Sequence, residues 1–142
     1  MKITKQLKCS GEEFFDYLVI SILKDLKSSV SKKIVKNDIQ KGFTFKRKII
    51  INNKAYPSHC LIKELEIAKR YHLCVDTGMA IMHIIHNIKE IDDQNIIDQY
   101  EEYLETKNLW LKFDEFKNSL DKKKAMRNTL DKFEMAIIGR RK

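Results

Sequence analysis

Four histidines and three cysteines are the side chains in this 142-residue chain best suited to bind a metal or move a proton. His83 and His86 stand in a His-x-x-His spacing within the apolar run "MHIIHN". On a helix that spacing puts both imidazoles on one face, where they could share an ion; on a strand it sends them to opposite faces. Cys9, Cys60 and Cys74 are odd in number, widely spaced and include no Cys-x-x-Cys pair, which reads as reduced thiols rather than a disulfide or a metal cluster. His59 adjoins Cys60, and His72 lies two residues before Cys74. On strands, His59 and Cys60 point to opposite faces, whereas His72 and Cys74 share one. No pairing legible in the sequence assembles these into the close ligand set that zinc sites use, so no metal and no cofactor are expected. There is no GxSxG, no HExxH and no Gly-rich phosphate loop, and no catalytic residue is assigned.

The elements that position these side chains follow from the hydrophobic period. "KITKQLKC" alternates and reads as a strand. Ser10 and Glu13 form a capping box, and Phe14, Phe15, Leu18, Ile22 and Leu26 recur at helical spacing, so a helix runs to about Leu26. A further helical piece or loop covers "SSVSKKIVKND". From Gly42 the period becomes that of strands: "GFTFKRKIII", "AYPSHCLIKELE", "YHLCVDTG", "MAIMHIIHNIKEI" and "IIDQYEEYLET", joined by short turns, which indicates an antiparallel meander. Pro57 requires an edge or a bulge. From Asn108 a helical period returns for about 30 residues, through Leu109, Phe113, Phe116, Leu120, Leu130, Phe133 and Ile137. Gly139 is expected to break it, with Arg140, Arg141 and Lys142 at the negative end of the helix dipole. Trp110 is expected to pack where sheet and helix join. A bent sheet wrapped around one long amphipathic helix buries both apolar surfaces. The expectation is one α+β domain over residues 1–142.

Composition narrows the function classes. No apolar stretch reaches the roughly 20 residues of a membrane span, and the basic N-terminus lacks an apolar signal core, so a cytoplasmic protein is expected. The net charge of +8 is uneven: residues 1–75 carry 16 Lys and Arg against 7 Asp and Glu, and the remainder 12 against 13. The positive charges are spaced singly, as on a solvated face. In "FTFKRK", Phe43, Phe45 and Arg47 share one face and Thr44, Lys46 and Lys48 the other, which is a poor stacking platform, so nucleic acid is not an expected partner.

This order of strand, helix, five strands and long terminal helix resembles the helix-grip fold of the START-like superfamily. That superfamily includes the birch-pollen-allergen-like proteins and the activators of chaperone ATPase. The opening "MKITKQLKCSGEEFFDYLVISILKDLK", the "KGFTFKR" strand, the "DDQNIIDQYEE" hairpin and the basic terminal helix resemble a small bacterial family catalogued as domain of unknown function 3284. The resemblance covers nearly the whole chain and carries no activity with it. The superfamily implies an internal, mostly apolar cavity between the sheet and the last helix. The chain departs from the expected pattern in having His86 where the strand before the hairpin would carry a tyrosine.

On a strand over residues 79–91, Met82, Ile84, His86 and Ile88 share one face, and Ile81, His83, Ile85 and Asn87 the other. His83 and His86 then cannot chelate one ion. A turn centred on Asp93–Gln94 sets His86 opposite Glu101, His83 opposite Leu104 and Lys89 opposite Asp98, the last a favourable charge pair. Ile97 and Tyr103 join the Met82 face, which is the expected inner one. The expected ligand wall is Met82, Ile84, His86, Ile88, Tyr103, Phe113 and Phe116, with His86 and Glu101 as polar contacts. The leading expectation is a protein, monomeric or a homodimer, that binds a small apolar or amphipathic ligand. Two others stand beside it: a protein-interaction module using the basic surface, and an enzyme using His86 and Glu101 as acid and base.

Overall fold

The computed structural model describes residues 1–27, 34–51, 53–108, 110 and 119–141. The elements are β1 (Lys2–Leu7), α1 (Gly11–Lys27), a 3-10 turn (Lys36–Asp38), β2 (Thr44–Ile51), β3 (Lys54–Glu66), β4 (Arg70–Asp76), β5 (Ile81–Asp92), β6 (Asn95–Glu105) and α2 (Ser119–Arg140). The six strands form one antiparallel sheet in the order β1-β6-β5-β4-β3-β2. β2 to β6 are thus a meander, and β1 closes its far side by pairing with β6. The helical pattern expected over residues 108–118, with Leu109, Phe113 and Phe116, lies outside the described residues apart from Asn108 and Trp110. So does most of the piece expected between α1 and β2.

Both helices pack against one face of the sheet, the inner one. Ile3 and Leu7 of β1, Phe45 of β2, Cys60 and Ile62 of β3, Tyr71, Leu73 and Val75 of β4 and Ile96 and Tyr100 of β6 are buried there with Phe14, Phe15, Leu18, Ile22 and Leu26 of α1. Among the described residues of α2, Leu130 and Ile137 are buried, and Met126 and Phe133 pack against the cluster. Burial of this apolar surface is the main force holding the layers together. The N-terminal part of α2 is polar around most of its circumference, and its Leu120 is exposed.

The capping box forms as expected. The Ser10 amide donates to Glu13 at 3.0 Å and the Glu13 amide donates to the Ser10 hydroxyl at 3.1 Å. Glu13 has a second role that the sequence did not suggest. Its carboxylate accepts two bonds from the Arg141 guanidinium, at 2.7 and 2.8 Å, tying the end of α2 to the start of α1. Gly139 does not break α2, which continues through Arg140. Gly11 is required by crowding: a Cβ there would lie 2.7 Å from the Ala68 Cβ and 2.8 Å from Glu90 Oε1. Pro57 sits where β3 has one neighbour, because β4 reaches only as far as His59.

Two β-bulges set which side chains face inward. Lys63 is an extra residue in β3, between Ile62 and Glu64. Ile91 is an extra residue in β5, between Glu90 and Asp92. At the hairpin tip Asp92 pairs with Asn95, the register expected from a turn at Asp93–Gln94. Beyond Ile91 the pairing has slipped by one, so His86 lies opposite Tyr100, Ile88 opposite Asp98 and Lys89 opposite Ile97.

Candidate functional site

Met82, Ile84, His86 and Ile88 lie together on the inner face of β5, the face shared by Tyr71, Leu73 and Val75 of β4 through direct pairing. The slip at Ile91 decides what meets them from β6. It brings Ile96, Asp98, Tyr100, Glu102 and Leu104 inward, and sends Glu101 and Tyr103 outward. This corrects the expected wall. Glu101 pairs with Ile85, and Tyr103 stacks on the His83 ring at 4.5 Å on the outer face. His86 and Glu101 therefore form no pair, and the acid–base couple on which an enzyme reading rested is absent. Phe113 and Phe116 lie outside the described residues. Trp110 does not pack at the join; it is 79% exposed.

The partner of His86 is Asp98. The carboxylate Oδ2 lies 2.7 Å from His86 Nδ1, and both side chains are buried. Three rings enclose the imidazole: Tyr100 at 5.0 Å, Phe14 of α1 edge-on at 5.4 Å and Tyr71 at 6.0 Å. Burial pushes the Tyr71 and Tyr100 hydroxyls above the ordinary phenol range, with Glu102 adding at Tyr100. Tyr100 donates to Glu102 at 2.9 Å. Asp98 Oδ1 is buried without a hydrogen-bond partner among the described residues. A buried acceptor left unpaired is costly and calls for a donor.

Toward the open end of the strands the same wall is less covered. Met82, Ile84, Glu102 and Leu104 are half-buried, although Leu73 and Val75 beside them are buried. The inner face thus has a sealed polar end around His86 and Asp98 and an apolar end that keeps accessible surface. Sequence reasoning missed Asp98, Tyr100 and Phe14. One signal was present. The even positions of β6 hold three large apolar or aromatic residues, Ile96, Tyr100 and Leu104, whereas the odd positions hold two, Ile97 and Tyr103.

A curved antiparallel sheet gripping a C-terminal helix defines an α+β helix-grip fold. Solved structures agree over nearly the full length. A protein of unknown function from Staphylococcus aureus matches with a TM-score of 0.61 at 16% identity, covering 98% of this chain and 93% of that one. The protein Ara h 8.0201 matches with a TM-score of 0.59 at 11% identity, covering 98% of both chains. An Arabidopsis thaliana member of the major latex protein family matches with a TM-score of 0.54 at 13% identity, covering 96% of this chain and 93% of that one. The chain belongs to the family described as domain of unknown function (DUF3284), whose pattern matches residues 1–120. No curated protein matches it. No helix among the described residues is long and apolar enough to cross a membrane.

Proposed function

We propose that this protein binds a small apolar or amphipathic molecule on the inner face of its sheet, beneath the last helix. The observation that carries this reading is the half-buried inner wall of Met82, Ile84 and Leu104, continuous with a sealed polar end. A ligand lying on that wall buries apolar surface, worth about 25 cal/mol per Å2. Ile88 and His86 bound the apolar part. Glu102, half-buried opposite Ile84, offers the polar contact on the accessible part of the wall.

Native mass spectrometry of the purified protein, with titration of an environment-sensitive apolar fluorophore, tests the reading. One co-purifying molecule, or saturable 1:1 uptake of the dye that Ile84→Trp reduces about tenfold or more, is the expected result. A ligand-free protein with no saturable uptake overturns it.

A protein-interaction surface is the second reading. Its support is Trp110 and Leu120, both 79% exposed, the latter two residues before the cationic stretch Lys122, Lys123 and Lys124. Trp110→Ala leaves dye uptake unchanged if the ligand reading holds alone.

A further inference from the structure

The outer face of the same strands carries a cluster that neither the fold nor the proposed ligand wall uses. His72 and Cys74 stand two residues apart on β4 and share its outer face. The register of the β4–β5 hairpin sets Cys74 directly opposite His83. Their donor atoms converge. His72 Nε2 lies 2.9 Å from His83 Nδ1, and Cys74 Sγ lies 3.7 Å from the first and 3.5 Å from the second. A tetrahedral zinc ion with ordinary Zn–N and Zn–S bonds separates neighbouring ligand atoms by about 3.3–3.6 Å. The three side chains are within a few tenths of an ångström of that arrangement before any ion is placed among them.

The surroundings orient the donors. Glu105 Oε2 lies 2.8 Å from His83 Nε2, so the carboxylate holds the His83 proton on Nε2 and leaves the Nδ1 lone pair aimed into the cluster. A carboxylate behind a ligating imidazole is the usual support of a metal-bound histidine. Tyr103 stacks on the same ring, with an interplanar angle of 10°, and fixes its plane. Although they are on the outer face, His72 and His83 are buried. Cys74, His83 and Glu105 open onto a groove of about 690 Å3, bordered by Lys63, Asp76 and Ile81.

We propose that His72, Cys74 and His83 form a zinc-class metal site on the outer face of the sheet. Glu105 orients His83, and a fourth, exchangeable position faces the groove. One thiolate and two imidazoles are a borderline-soft donor set that suits zinc. Three protein ligands with a position left for water or a small anion distinguish such a site from a closed structural one. Loading balances as follows: the Cys74 thiol loses one proton to solvent, and both imidazoles bind neutral. The His72 proton, which bridges to His83 Nδ1 without metal, moves to His72 Nδ1. That atom is buried and has no hydrogen-bond partner among the described residues.

The test is titration of the chelator-treated, full-length protein with cobalt(II), followed by zinc competition against a chromophoric chelator. One cobalt per chain is expected, with a thiolate-to-cobalt charge-transfer band and the intense visible bands of four-coordinate cobalt. Cys74→Ser removes the charge-transfer band and weakens zinc at least about 100-fold, and Glu105→Gln keeps the band and weakens zinc about 10–100-fold. Cys60→Ser, on the inner face, changes neither. Circular dichroism confirms that each variant is folded. A folded wild-type protein that shows no charge-transfer band overturns the proposal without recourse to any variant. Zinc affinity unchanged in folded Cys74→Ser overturns it as well.

Discussion

His86 and His83 lie three residues apart on one strand and live in different environments. His86 faces the helices, enclosed by Phe14, Tyr71 and Tyr100, and is paired with a fully buried carboxylate. His83 faces outward, pairs with a carboxylate whose side chain is 64% exposed, and meets a second histidine and a thiol at the edge of a groove. The odd separation on a strand produces this contrast. An imidazole whose contacts are all protein is held as part of the packing. An imidazole with a bare nitrogen aimed at other donors is available for binding. The inner pair belongs to the architecture of the wall, and the outer cluster has the chemistry.

Breaking each pair measures the difference. Asp98→Ala strands a buried imidazole and opens a hole beside His86, and should cost about 3 kcal/mol in urea denaturation. Zinc at a hundredfold excess over its dissociation constant should stabilise the wild-type protein by about 2.7 kcal/mol, seen as a rise in melting temperature, and should leave Cys74→Ser unmoved. Burial holds the Cys74 thiol above its ordinary range, with Glu105 adding and Lys63 opposing. Zinc affinity should therefore rise with pH as that proton becomes easier to lose. Without metal, Glu105→Ala should cost about 0.5 kcal/mol, because its carboxylate is largely solvated. The smallest effect is expected at the rim, where Arg141 clamps Glu13. That guanidinium, with the hydrogen bonds from Ser10, holds the Glu13 carboxyl down from 4.5 to about 2. A depressed carboxyl stabilises the fold above its unfolded value. The deficit of Arg141→Ala relative to wild type should thus be full at neutral pH and fade as pH falls from 4.5 toward 2, which acid titration of both proteins would measure.

Element identity was largely legible because period and turn chemistry are local. The switch at Gly42, the capping box at Ser10 and the turn at Asp93–Gln94 each announce a boundary within a few residues. The His86–Glu101 pair failed for a different reason. The turn was read correctly, but one extra residue at Ile91 slips all the pairing beyond it, and a bulge has no strong local signature. The outer cluster was closer to legible. Thr77 donates to the Ala80 carbonyl at 3.1 Å, closing the β4–β5 turn around Gly78, and a hairpin centred there pairs Cys74 with His83. His-x-Cys before such a turn and a histidine after it are sufficient to suggest the site. Treating each strand separately hid it.

The bulge at Ile91 also gives this chain a place to change length. Deleting that one residue would bring Glu90 next to Asp92, with Glu90 still opposite Ile96 and Asp92 still opposite Asn95. The pairs from Lys89 down to Ile81 would stand, and Ile96, Tyr100 and Leu104 would still face the helices. The Ile91 side chain is itself 51% exposed. The strand would lose its local kink and keep both of its faces. A single-codon loss at that point leaves the wall as it is, although it removes the residue that hid the register from the sequence.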